Sequence, residues 1–224
     1  KLMRTIKAVD GIKLTTTKSS KDFCTVCDIT KSTRANISKD GLMKRPQNDR
    51  IHTDVKKYKK SIRGFRYMLI FIHEGSRYIT LYLMKKKSDT LKQLKQYKSL
   101  FENSSGARFI ELRGDNGGEF TGIEFQSYLK SKGIVWSAST PRTPEQNSIA
   151  ERSLRTLSKM IRSSLKQSGM SIKYWCYAAK HCEYVYNRLI HSKDLEKTPY
   201  EKWHRLRPNI SNLVPFGTIG LAHI

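Results

Sequence analysis

The sequence predicts an α/β fold in which a mixed five-stranded sheet is flanked by helices. Three observations lead there. Aromatic and β-branched runs crowd residues 50–84, two more such runs follow at 107–114 and 134–140, and an amphipathic helical pattern precedes each of those two. A meander followed by crossovers implies a sheet with antiparallel and parallel pairs and helices packed on it.

The elements can be taken in order. "RIHTDV" (50–55) alternates, "FRYMLIFI" (65–72) and "RYITLYLM" (77–84) are strand-forming, and the turn residues "HEGS" separate the last two, so three adjacent antiparallel strands are expected. "SDTLKQLKQYKSLFENS" sets Leu91, Leu94, Lys98 and Phe101 at helical spacing behind Ser88 as N-cap. "ARFIELRG" is the fourth strand. "TGIEFQSYLKSKG" opens on a capping box from Thr121 to Glu124, stops at Gly133, and leads into the fifth strand, "IVWSAST". The next helix is the best marked. Thr143 caps it, Pro144 takes its first position, Gln146 completes a capping box and Gly169 ends it. Its apolar stripe is Ala150, Leu154, Leu157, Ile161 and Leu165, and Arg155, Lys159, Arg162 and Lys166 make a basic face beside it. Glu151 falls between the two. "SIKYWCYAAKHCEYVYNRLIH" is a largely buried helix with Trp175, Ala179, Cys182 and Tyr186 in the core, and "TPYEKW" a short capped turn.

Charge narrows the function. Lys and Arg number 43 against 19 Asp and Glu, a net +24, and residues 1–66 carry half of that excess. Such a balance points to a polyanion, above all nucleic acid. No apolar run is long enough to span a bilayer and no secretory signal opens the chain, so neither membrane insertion nor export is expected. Lys1 stands where a start methionine would, which suggests a piece of a longer chain. Cys24 and Cys27 form C-x-x-C, a spacing suited to two zinc ligands; a complete site needs about four, and no histidine precedes them.

Three carboxylates stand out by position: Asp54 in the first strand, Asp115 at the end of the fourth, Glu151 early in the capped helix. Each alone has an ordinary explanation, as a strand acid paired with a lysine of "KKYKK", a turn residue in "GDNGG", or a helix acid paired with Arg155. Together they form a set of hard oxygen ligands of the kind that holds two Mg²⁺ ions for in-line phosphodiester displacement. Asp54, on a central strand, is placed to bridge both ions, with Asp115 and Glu151 completing one each. Gly117 and Gly118 allow the chain to turn away sharply behind Asp115. Phosphate contacts are expected from Lys56, Lys57, Lys59 and Lys60, a run that also suits a nuclear-import signal, and from Arg155, Lys159 and Arg162. His52 shares the strand face of Asp54. Trp136 and Tyr128 are expected in the core.

At these residues the chain resembles a family. "LRGDNGGEF", then "STPRTPEQNSIAERSLRTL" with its glutamate 36 positions after Asp115, then "YNRLIHSKDLEKTPYEKW" and "PFG" look like the integrases of copia-type retrotransposons, over roughly residues 22–220. The resemblance implies an RNase H-like catalytic core at 49–207, preceded at 1–48 by part of a zinc-binding module and followed at 208–224 by the start of a C-terminal extension. It places an Asp, Asp, Glu triad on Asp54, Asp115 and Glu151. It implies Mg²⁺ or Mn²⁺ as cofactor, with Zn²⁺ at Cys24 and Cys27 only if upstream histidines are present. The implied partners are double-stranded DNA and further copies of the chain, and the implied place of action is the nucleus, after release from a polyprotein. Gly114 departs from the family's usual serine, Ser148 from its glycine, and His73 with Glu74 from its acids before "SR". A hybrid-cleaving RNase H-like nuclease, which usually presents a fourth carboxylate, and a DNA-binding remnant without catalysis are the competing expectations.

Overall fold

The structure, a computed structural model, describes residues 50–138, 148–191 and 196–219. Strand β1 is Arg50–Lys57, β2 Tyr67–His73, β3 Ile79–Met84, β4 Glu111–Gly114 and β5 Val135–Ala138. Helix α1 is Thr90–Ser105, α2 Gly118–Thr121, α3 Ile123–Ser131, α4 Ser148–Ser168, α5 Trp175–Asn187 and α6 Pro199–His204. The sheet runs β3-β2-β1-β4-β5; the first three strands are antiparallel neighbours, and β1–β4 and β4–β5 are parallel. This is the mixed five-stranded sheet that the sequence implies.

Alternation along the strands sorts side chains into two cores. Met68, Ile70 and Ile72 of β2 meet the α4 stripe Ala150, Leu154, Leu157, Ile161 and Leu165, together with Trp175, Ala179, Cys182 and Tyr186 of α5. On the opposite face Ile51, Leu69, Phe71 and Leu112 meet Leu94, Tyr97 and Phe101 of α1 and Phe125 and Leu129 of α3. The outer edge of β3 is closed by side chains of α5. Asn187 accepts from Ile79 N–H and donates to Ile79 O, both at 2.8 Å, Glu183 accepts from Leu81 N–H, and Lys180 donates to Leu81 O. Phe216, within "PFG", packs on the α4/α5 core.

Two expected caps are replaced. Lys87–Asp89 forms a 3₁₀ turn, and the helix begins only at Thr90, with the Asp89 carboxylate accepting from Lys86 N–H at 3.0 Å where Ser88 was expected to cap. The Thr121–Glu124 capping box does not form: Gly122 is extended (φ −61°, ψ 144°) and splits the segment into α2 and α3. That break lets Phe120 and Phe125 both reach the core, where their rings meet edge to face against Trp136. The caps Thr143, Pro144 and Gln146, Cys24 with Cys27, and segment 1–48 lie outside the described residues.

Candidate active site

The register explains why distant carboxylates share one face. In β1, Arg50, His52, Asp54 and Lys56 point the same way, and they pair with Ile72, Ile70 and Met68 of β2, residues of the α4 core, at the last three positions. They therefore face α4. Arg50 aligns with Glu111 and His52 with Arg113 in the parallel neighbour, so two residues further on Asp115 emerges on the same side beside Asp54. The third acid comes from above, because Glu151 stands in the first turn of α4, which packs on β1.

These acids sense one another. The mostly buried Asp54 carboxyl has its pKa pushed up to about 6, first by desolvation and next by the charge of Asp115, with smaller contributions from Glu151 and Glu119; the Val55 N–H, donating to Asp54 Oδ1 at 2.7 Å, opposes the shift. Asp115 is exposed, and its Oδ1 accepts from Gly117 N–H at 3.1 Å, closing a tight turn at the end of β4. A side chain at Gly117 would crowd the movable ends of neighbouring side chains rather than backbone. A Cβ would sit 3.0 Å from Asp115 Oδ1 and 2.9 Å from Glu119 Cδ. Gly118, by contrast, faces open space, so the turn does not depend on its lack of a side chain. Gly114 is enforced by packing: a Cβ would meet the rigid Trp136 ring at 2.8 Å and Thr53 Cγ2 at 3.0 Å, so the serine usual in the family does not fit under this tryptophan.

Glu119 is the member of the cluster that sequence reasoning missed. Its side chain is 5% exposed and accepts from Lys87 Nζ through both oxygens at 2.9 Å. "GGEF" held the residue in plain view, but only the fold brings it near Asp54. Among the described residues no group of three or more His, Cys, Asp and Glu side chains stands close enough together to ligate one ion. The donor chemistry nevertheless suits a divalent metal. Asp54, Asp115 and Glu151 offer only hard carboxylate oxygens, and burial first and the neighbouring charges second cost Asp54 its normal acidity, a cost that a bound cation would offset.

The basic residues divide by face. Lys56 turns inward, where Nζ donates to Ser158 Oγ of α4 at 2.9 Å; burial and then the charge of Arg162 lower its pKa, while Asp54 opposes. Lys57, on the alternate side of the strand, is exposed, as are Lys59 and Lys60 in the following turn. On α4, Arg155 and Arg162 are exposed and Lys159 is half-buried, and the 100° helical step sets Arg155 and Arg162 on the same strip as Glu151. His52 is buried and bonds Glu74 Oε2 at 3.1 Å rather than Asp54, and Arg50 bridges Glu74 and Glu111. The His52 bond, followed by the pull of nearby positive charges, holds the Glu74 carboxyl down at about 2. Trp136 and Tyr128 are partly buried against the α1/α3 core.

Residues 44–144 match the family described as integrase core domain. The retrovirus-related Pol polyprotein from transposon RE2 of Arabidopsis thaliana is 33% identical over 195 residues, 87% of this chain, and that from transposon TNT 1-94 of Nicotiana tabacum is 32% identical over 165 residues, 74% of it. The chain belongs to the copia-type retrotransposon integrases. It spans 12–13% of the length of these curated relatives. Among solved structures, the simian T-cell lymphotropic virus intasome in complex with a PP2A regulatory subunit aligns with a TM-score of 0.59 at 16% identity, covering 90% of this chain and 68% of that one. The HTLV-2 integrase catalytic core domain in complex with magnesium aligns at 0.53 and 21%, covering 70% and 97%. The copia-type integrase thus shares its fold with retroviral integrase catalytic cores.

Proposed function

We propose that this integrase joins the 3′ ends of element cDNA to target DNA by a metal-dependent transesterification, with Asp54, Asp115 and Glu151 as the metal-holding triad. One observation carries the proposal. Asp54 of β1 is buried beside the charges of Asp115, from the turn after β4, and Glu151 of α4, and burial first and those charges second raise its pKa to about 6, inside a chain of net charge +24. An acidic focus on a basic protein is what phosphodiester chemistry needs, because the polyanion must be drawn in and its reacting oxygens neutralised locally.

Mg²⁺ or Mn²⁺, when bound, would activate the attacking 3′-hydroxyl and stabilise the leaving oxygen. The residues supply the rest. β1 and the Asp115 turn hold two carboxylates on rigid backbone, α4 brings the third, and Lys56 with the basic face of α4 aligns the DNA backbone beside them. Glu119 would be the fourth carboxylate of a hybrid-cleaving nuclease, but Lys87 neutralises it, which favours strand transfer. The substrates are double-stranded element ends and target DNA, held by several copies of the chain, and the place of action is the nucleus. Among the described residues no helix is long and apolar enough to cross a membrane.

Glu151→Gln tests this directly. It keeps size and removes the charge. Joining of a 3′-hydroxyl end to a duplex in Mg²⁺ or Mn²⁺ should fall by several orders of magnitude while DNA binding persists. A variant that joins DNA as well as the parent would exclude Glu151 from the triad, and a parent without metal-dependent activity would leave a DNA-binding remnant.

A further inference from the structure

One lysine is built into the catalytic face rather than laid on the surface. Lys56 follows Asp54 by two residues on the same side of β1, about 6.6 Å further along the strand. Its Nζ donates to Ser158 Oγ at 2.9 Å, and Tyr58 OH lies 2.9 Å from the same oxygen. Ser158 gives its single proton to Leu154 O at 2.7 Å, so both contacts arrive at its lone pairs and Tyr58 is a donor here. Tyr58 is itself fixed, with its ring stacked on the buried Trp175 at 4.5 Å, and Trp175 Nε1 donates to Lys59 O at 2.8 Å. The flexible lysine stem is thus ordered before any ligand arrives, and two of its three N–H groups remain free of the Ser158 bond.

Arg162, one turn beyond Ser158, acts electrostatically on both Lys56 and Tyr58. Ser158 and Arg162 are neighbours one turn apart on α4, so the charges of Lys56, held at Ser158, and Arg162 repel each other, and the acid acting on Lys56 is Asp54, a residue engaged elsewhere in the proposed chemistry. An anion between the cations would relieve that repulsion. The offset from Asp54 is comparable with the separation of neighbouring backbone phosphates.

We propose that Lys56 and Arg162 form a clamp for a non-reacting backbone phosphate of the DNA strand in the active site, with Tyr58 and Ser158 as positioning residues. The clamp rests on the strand-transfer function above and adds the binding site that sets the strand's register over the triad. Phosphate recognition of this kind fixes position and carries no base preference.

The test uses the full chain with Lys56→Met, Tyr58→Phe, Ser158→Ala and, as a control at the opposite end of the sheet, Lys132→Met. DNA binding is measured by anisotropy against salt, and joining rate against DNA concentration. Lys56→Met should raise the half-saturating DNA concentration about tenfold, as loss of a charge-assisted hydrogen bond does, and reduce the log–log salt slope by about 0.9. Tyr58→Phe and Ser158→Ala keep every charge, so they should weaken saturation several-fold with the slope unchanged. A purely structural role would lower the melting temperature without moving the half-saturating concentration, and that pattern overturns the positioning roles. Unchanged slope and saturation for a folded Lys56→Met protein overturn the clamp. Should the parent lack joining activity, the strand-transfer function fails while the equilibrium salt slope still decides whether Lys56 binds a phosphate.

Discussion

Asp54→Asn offers the most direct measure of what burial beside the other acids costs the Asp54 carboxylate. Asparagine keeps the oxygen that accepts from Val55 N–H and removes the charge. In the folded protein Asp54 holds its proton up to about pH 6, against a reference value of 3.8, because burial and then Asp115 disfavour the carboxylate. A raised acid pKa makes the folded state the better proton binder, so its contribution is favourable below about pH 4 and is lost as pH rises through 6. Moving that acidity from 3.8 to about 6 corresponds to about 3 kcal/mol at neutral pH and above. The metal-free variant should therefore be about 3 kcal/mol more stable than the parent at pH 8, or roughly 6–12 °C in melting temperature, with the difference closing between pH 6 and 4. Urea unfolding of both proteins in chelator across that range measures it. A stability difference that is absent, or that does not change with pH, would refute the burial and charge crowding that raise the Asp54 pKa.

Mg²⁺ should bind the charged form of the cluster, so it should raise the melting temperature of the parent at pH 8 and leave Asp54→Asn nearly unmoved; equal shifts in both would place the metal elsewhere. Asn187→Leu strips the partners from Ile79 N–H and Ile79 O on the edge strand and should cost about 2–5 kcal/mol by chemical denaturation, with increased aggregation as the edge opens. Replacing Arg155, Lys159 and Arg162 together by alanine should flatten the salt dependence of DNA affinity by about 0.9 per lost phosphate contact, read by anisotropy; an unchanged slope would mean that this face points away from DNA.

Much of this integrase was legible in its sequence, because much of it is local. Period-two and period-3.6 patterns are written in neighbouring residues, so the order of strands and helices, the buried stripe of α4 and the strand-end position of Asp115 could be read without coordinates. Local capping was less reliable. Ser88 and the Thr121–Glu124 pair carry good cap chemistry, yet the Asp89 turn and the need to bury both Phe120 and Phe125 override it.

What tertiary structure alone decided lies in contacts between residues distant along the chain. Strand alternation makes Lys56 and Lys57 neighbours in sequence and strangers in space, one held by Ser158 across 102 positions and the other left in solvent. Glu119 joins the acidic cluster, and Lys87 neutralises it from beyond β3, because the sheet order brings the ends of β1 and β4 together. Gly114 stands where the family prefers serine because Trp136 of the next strand fills the space. Composition and periodicity fix which face of an element is apolar; which partner meets that face, and at what register, follows from packing the whole chain at once.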